Sequence, residues 1–417
     1  MSVHLFTVGR YNASMRCPCL SAFAALARVC VSAVPAAEDS GASTKPASFA
    51  DTGTLSEYFF GKNNLWDSTY DGIEQWKKDH HLPISIGAHH WLHVDRAERL
   101  YGTGYGWPGL RGTYFYFLNF DPSLKLAGDG FASEIGIHFQ GRFRDTDDKF
   151  RAFFRDTIWT YEAYVFARTK IGTFKAGQIV QQFCIASDTS WWDGVSYYDD
   201  YRFNPSWGVS WENTWKVSES FSVDTALQYF IRGDRVSGAF PNASADTTAG
   251  LSERNTGILR VVPTWKFNPD TKLTLGVAGL VRGIRGGAGR GVDDTQAAWD
   301  TDLTLTWKNL SIWGQYIDSH GVITPTRYVS GGPSNRQNSL STGINCKRGP
   351  VSVHVNYSRG WDHHPSGHQS IFEPGFAFQL TKNVALYTEY VRWNVTNGKG
   401  VRSKFEDGFE LAVVWSF

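Results

Sequence analysis

From Ile84 to the last residue the chain alternates apolar and polar positions. Successive side chains of a β-strand point to opposite faces, so this period of two predicts strands with one apolar and one polar face. In Ser133–Arg144, Ile135, Ile137 and Phe139 share one face, opposite Glu134, His138, Gln140, Arg142 and Arg144. Phe221, Val223, Leu227, Tyr229 and Ile231 form a similar row. Leu273, Leu275, Val277 and Val281 alternate with Thr274, Gly276, Ala278 and Arg282. Trp299, Leu303, Leu305 and Trp307 alternate with Asp300, Asp302, Thr304 and Lys308, and Val351, Val353, Val355 and Tyr357 with Ser352, His354, Asn356 and Ser358.

The connections alternate too. Short turns fall at Thr169–Gly172, Lys216–Ser220, Asn268–Asp270, Lys308–Asn309, Lys347–Gly349 and Thr381–Asn383. Between them lie longer polar connections such as Gln182–Asn204, Gly233–Arg254 and Ser319–Asn335. Pairing strands around them predicts an all-β chain: a transmembrane antiparallel β-barrel of roughly sixteen strands, each about ten residues, with short periplasmic turns and long extracellular loops. A soluble sandwich, jelly roll or propeller also alternates. Against these stand the many successive hairpins, the lack of a blade repeat, and tryptophans at strand ends (Trp265, Trp307, Trp393, Trp415), where a membrane-interface girdle would sit.

Composition supports one large β closure. The 417 residues include 42 Gly, 28 Phe, 18 Tyr and 17 Trp, residues of strands and tight turns, and only 19% are charged. A net charge of +1 leaves no basic field for nucleic acid, and no run of about 18 apolar residues could form a membrane-spanning helix. Arg16, the small apolar run Leu20–Val34 and the residues up to Ala36 predict a secretory signal over 1–36. Residues 37–83 read as a flexible mature N-terminus with a short helix in Asp67–His80, and 84–417 as the barrel. Cys17, Cys19 and Cys30 lie in the signal, leaving Cys184 and Cys346 far apart in the body, neither a disulfide framework nor a zinc site: two lone buried thiols, with pairing in an oxidising compartment the alternative.

This layout resembles the Gram-negative outer-membrane porins over Ile84–Phe417. The final strand, Phe409, Leu411, Val413, Trp415 and Phe417, ends on an aromatic, and TKIGTFKAGQ (Thr169–Gln178) is similar to the porin hairpin leading to the third long loop. A PEFGG-type signature is missing from that loop, and Asp67–His80 is faintly similar to the lead-in of carbohydrate-selective porins. The resemblance implies an exported protein of the bacterial outer membrane, in contact with lipid and lipopolysaccharide. It further implies recognition of Phe417 by the barrel-assembly machinery, a homotrimer, no cofactor, and passive diffusion of small hydrophilic solutes; a carbohydrate-selective porin is the alternative.

Gln182–Asn204 would be the third long loop, joining the fifth and sixth strands, which porins of this size fold into the lumen. Its stretch Ser187–Phe203 has neither strand nor helix periodicity. Asp188, Asp193, Asp199 and Asp200 would form one side of a constriction, and Arg142, Arg144, Arg260 and Arg282, inward by strand parity, the other. Opposed charges across a narrow channel set up a transverse field, although each arginine could equally belong to a surface ion pair of little energetic weight. Trp191, Trp192, Tyr197, Tyr198 and Tyr201 offer flat faces for sugars or simply anchor the loop.

Other chemistry is thinner. His89, His90 and His93 cannot all share a strand face, and His363, His364 and His368 lack carboxylate or thiolate companions, so no metal site is predicted. Ser352 and His354 lie two apart on one strand with no GxSxG motif, which gives no basis for an enzyme. A secreted glycan-binding or glycan-cleaving β protein would reuse the aromatics with a carboxylate pair such as Asp199 and Glu212.

Overall fold

The computed structural model describes residues 71–72, 75–76, 78–80, 84–99, 110–126, 130–146, 157–184, 205–233, 252–285, 293–323, 334–363, 366–396 and 402–416. Seventeen strands follow in order: β1 (Ile84–Arg99), β2 (Leu110–Phe120), β3 (Ser123–Lys125), β4 (Ala132–Thr146), β5 (Thr157–Thr169), β6 (Gly172–Val180), β7 (Pro205–Lys216), β8 (Phe221–Gly233), β9 (Ser252–Asn268), β10 (Thr271–Arg285), β11 (Asp293–Trp307), β12 (Leu310–Ile323), β13 (Ser334–Arg348), β14 (Val351–His363), β15 (Ser366–Gln379), β16 (Val384–Thr396) and β17 (Arg402–Ser416). β3 is a three-residue piece laid beside β4. The others are the long strands, against the roughly sixteen read from the alternation.

Every pairing is antiparallel between chain neighbours, β2 joining β4 past the short β3. The first strand also pairs with the last, from His89 opposite Ser416 to Arg99 opposite Glu406, so the pairings return to β1. Each long strand therefore has two partners and offers no free edge to another chain.

Turn chemistry explains where the hairpins close. Between β5 and β6 the Thr169 hydroxyl donates to Gly172 O (2.7 Å) and accepts from the Ile171 amide (3.2 Å), and Gly172 sits at φ 125°. A side chain there would strike the Glu212 carbonyl, so only glycine fits. Between β9 and β10 the Asn268 side chain accepts from the Asp270 amide (2.9 Å), an Asx turn.

The two faces decide what kind of sheet this is. On β8, Leu227, Tyr229 and Ile231 are exposed while Ala226, Gln228 and Phe230 are buried. On β11, Trp299 is 44% exposed and Asp300 beside it 0%. Val165, Val209, Leu259, Val277, Val281, Leu303, Leu340, Leu411 and Val413 continue the outward apolar row. A soluble sandwich buries such a row; here the polar row is buried and the apolar one faces out, as a hydrocarbon solvent requires. This arrangement does not fit the secreted soluble β protein weighed from sequence. Aromatics gather where strands end at the short turns: Trp215 and Trp307 are exposed, Phe221 and Trp265 lie 5.1 Å apart, and Lys308 caps the Trp307 ring.

Before the sheet, Asp71, Gly72, Gln75, Trp76, Lys78 and Asp79 are helical. Trp76 is 54% exposed and stacks on His80, and Asp71 holds Lys382, in the β15–β16 turn, at 2.6 Å. No described helix is long and apolar enough to cross a membrane. The expectation of two separate thiols needs correction: Cys346 is disulfide-bonded, and Cys184 is not its partner.

Candidate functional site: the polar inner wall

The connection leaving β6 starts on the inner, polar side of the sheet. Gly177 in β6 (φ 141°) and Gly208 in β7 lie opposite each other. A Cβ on either would come within 2.2 Å or 2.1 Å of a carbonyl oxygen on a neighbouring strand, a closeness only glycine permits. Just beyond, Ile179 and Phe183 pack fully buried against Phe230, Ile258, Ala278, Leu280, Ala298 and Ile317 of β8–β12, all on inward positions. Polar contacts fix the same segment. The Gln182 amide donates to Gln228 Oε1 (2.7 Å), Gln228 Nε2 to Val180 O (3.1 Å), and Gln182 Nε2 to Glu212 Oε1 (2.9 Å).

Arg260 ties this root to the wall. Its Nη1 donates to Phe183 O (2.8 Å) and to Asp300 Oδ2 (2.9 Å), and its Nη2 to Asp302 Oδ2 (2.5 Å). These residues stand two strands apart. They meet because the intervening β10 presents small residues: Ala278 lies in register between Arg260 and Asp300, and Gly276 opposite Asp302. A Cβ on Gly276 would sit 2.2 Å from the Asp302 carboxylate. Asp300 also accepts from Gln315 Nε2 (2.8 Å), and Arg282 donates through Nε to Gln296 Oε1. Two carboxylates against the Arg260 guanidinium leave this cluster formally negative, and removing one partner of such a buried pair is costly.

The same device recurs on the far wall. His354 of β14 reaches across Gly375 of β15 to Glu389 of β16, Nε2 to Oε1 3.3 Å. A Cβ on Gly375 would come within 2.2 Å of the imidazole. Gly343 of β13 lies in register between Trp313 and Asn356, and both side chains close over it. Among the described residues this wall buries His354, Asn356, Ser358, Glu373 and Glu389.

Of the residues predicted from sequence, Arg260 and Arg282 are buried on the inner wall. Arg142 and Arg144 lie on β4, opposite Trp159 and Thr157 of β5. Asp188, Asp193, Asp199 and Asp200, with Trp191, Trp192, Tyr197, Tyr198 and Tyr201, lie outside the described residues. Glu212, the glycosidase candidate, is engaged by Lys175 (2.7 Å), Gln182 and Ser210. His354 meets Glu389 and not Ser352, and His363 meets Asn338 (2.5 Å). Sequence reasoning did not single out Asp300, Asp302, Gln228, Glu373 or Glu389. Parity already placed Asp300 and Asp302 on the polar face; their partnership with Arg260 depends on cross-strand register, which alternation does not encode.

No family model matches the chain, and no curated protein matches it in sequence. Solved structures do. The outer-membrane channel DcaP of Acinetobacter baumannii aligns over 80% of this chain and 97% of its own, with a TM-score of 0.54 and 14% identity. Salmonella typhi OmpF, solved in complex with daunomycin, aligns over the same shares with a TM-score of 0.54 and 10% identity. At these identities the likeness concerns fold, and the fold is that of a porin-like β-barrel.

Proposed function

We propose that the chain is a bacterial outer-membrane porin, a non-enzymatic channel through which small hydrophilic solutes diffuse passively. The observation that carries this reading is the reversal of faces: an apolar row outward and a polar row inward, on strands whose pairings return to the first. Only such a closed sheet satisfies every backbone group in lipid while keeping a polar interior. The fold shared with an outer-membrane channel supports it. On this reading the turns between paired strands face the periplasm and the longer connections the outside. The Ser187–Phe203 stretch narrows the lumen, with Asp188, Asp193, Asp199 and Asp200 facing Arg142, Arg144, Arg260 and Arg282. The inward start of its connection, pinned at Phe183 and Gln182, supports that placement. Trimeric assembly and delivery by the barrel-assembly machinery through Phe417 belong to the same proposal.

Liposome swelling tests it. Vesicles loaded with the folded protein should swell in sugars and amino acids at rates that fall with solute size. Rates equal to those of protein-free vesicles, with the barrel folded, would refute diffusion. A steep preference for sugars over amino acids of equal size would favour the carbohydrate-selective alternative and give the loop tryptophans and tyrosines a stacking role.

A further inference from the structure

Charge on the inner wall is not evenly shared. The buried charged side chains among the described residues include five carboxylates, Asp300, Asp302, Asp318, Glu373 and Glu389, and two guanidiniums, Arg260 and Arg282. Arg260 of β9 meets Asp300 and Asp302 of β11, and Arg282 of β10 lies opposite Gln296. On β14–β16 the described buried ionisable side chains are Glu373, Glu389 and His354, with no buried lysine or arginine among the described residues there. A second, independent feature lies in the same row. Asn356 is 1% exposed, and neither its Oδ1 nor its Nδ2 has a hydrogen-bond partner. It stands directly opposite Glu373, itself 0% exposed, and two residues from His354. Leaving a buried amide unmatched is costly, and a cation bound at its oxygen would offset that cost. Oxygen acceptors of this kind, carboxylate and amide carbonyl, are the ligands hard cations take. One amide, one carboxylate beside it and a second carboxylate already engaged by His354 are fewer ligands than a divalent ion takes, so the fit is to a singly charged cation.

We propose that the inner wall at β14–β16, centred on Asn356, Glu373 and Glu389, is a cation-attracting station of the channel, separate from the Ser187–Phe203 loop. It rests on the porin reading. Carboxylates held in a low-dielectric wall project a field into the lumen that water screens poorly, which raises the local concentration of monovalent cations and of solutes bearing an ammonium group.

The test is the zero-current potential across a planar bilayer in a salt gradient, run with potassium chloride and with ethylammonium chloride. Wild type should reverse on the cation side. The paired change Glu373→Gln with Glu389→Gln should move the potential toward the anion side while unit currents persist. Asn356→Lys, which leaves both carboxylates in place and adds a positive charge, should shift it the same way. A shift in both salts, or in potassium chloride alone, supports the station; the first extends it to ammonium groups. Open channels whose potential matches wild type in either variant overturn it, as does a wild type that reverses at zero or on the anion side even if neither variant folds. Wild type that passes no unit currents overturns the porin reading, and this proposal with it.

Discussion

Arg260 shows how a single side chain links wall and loop. Its guanidinium serves two carboxylates on β11 and the carbonyl of Phe183, and all of these partners are buried. Arg260→Ala should therefore destabilise the folded protein by about 3–5 kcal/mol, the cost of stranding buried charge. Urea unfolding in detergent measures it, and a shift below about 1 kcal/mol, the range of an exposed pair, would place the arginine in solvent. Gly375 gives the complementary case. Its missing Cβ lets His354 meet Glu389, so Gly375→Val should lose stability, whereas a valine at Gly279, where a Cβ has nothing within 4 Å, should be tolerated. Equal effects at both positions would show that the His354–Glu389 crossing does not depend on the glycine.

Among the elements, the strands make the strongest prediction because their two faces are chemically opposite. Leu259→Arg puts a charge on the outward row of β9 and should cost about 2–4 kcal/mol if it lies near the bilayer midplane. Thr225→Arg on β8 serves poorly as a control because that side chain is only partly covered. Ser341, inward on β13, is better: Ser341→Arg should change conductance more than it changes folding yield in lipid. The reverse outcome, with Leu259→Arg harmless and Ser341→Arg unfolding the protein, would invert the assignment of faces. The segment after β6 offers a further test. Phe183 fills the inner apolar cluster, and Phe183→Ala should cost about 3–5 kcal/mol and raise unit conductance as the root of the connection loosens. Unchanged conductance would mean that this segment does not shape the pore.

Across the whole molecule, much of the strand plan was legible because period-two alternation is a local signal. The rows Leu227, Tyr229, Ile231 and Trp299, Leu303, Leu305 were read from spacing alone and are outward in the fold. Alternation does not say which face meets solvent, and burial resolved that: Asp300, not Trp299, is enclosed. The inner-wall contacts were not legible. Arg260 finds its carboxylates across β10, and His354 its glutamate across β15, through small residues whose meaning appears only once register is known. Acidic and aromatic content marked the Ser187–Phe203 stretch, whereas the inward start of its connection, held at Gln182 and Phe183, depends on contacts with β8–β12 that no local pattern encodes. On the proposed reading, what unites these features is a sheet dissolved in lipid and wet within. Its most direct test is electrical: heat-modifiable, folded protein added to a planar bilayer should produce stepwise increases in current of uniform size, whereas a silent bilayer from the same folded preparation would contradict a channel.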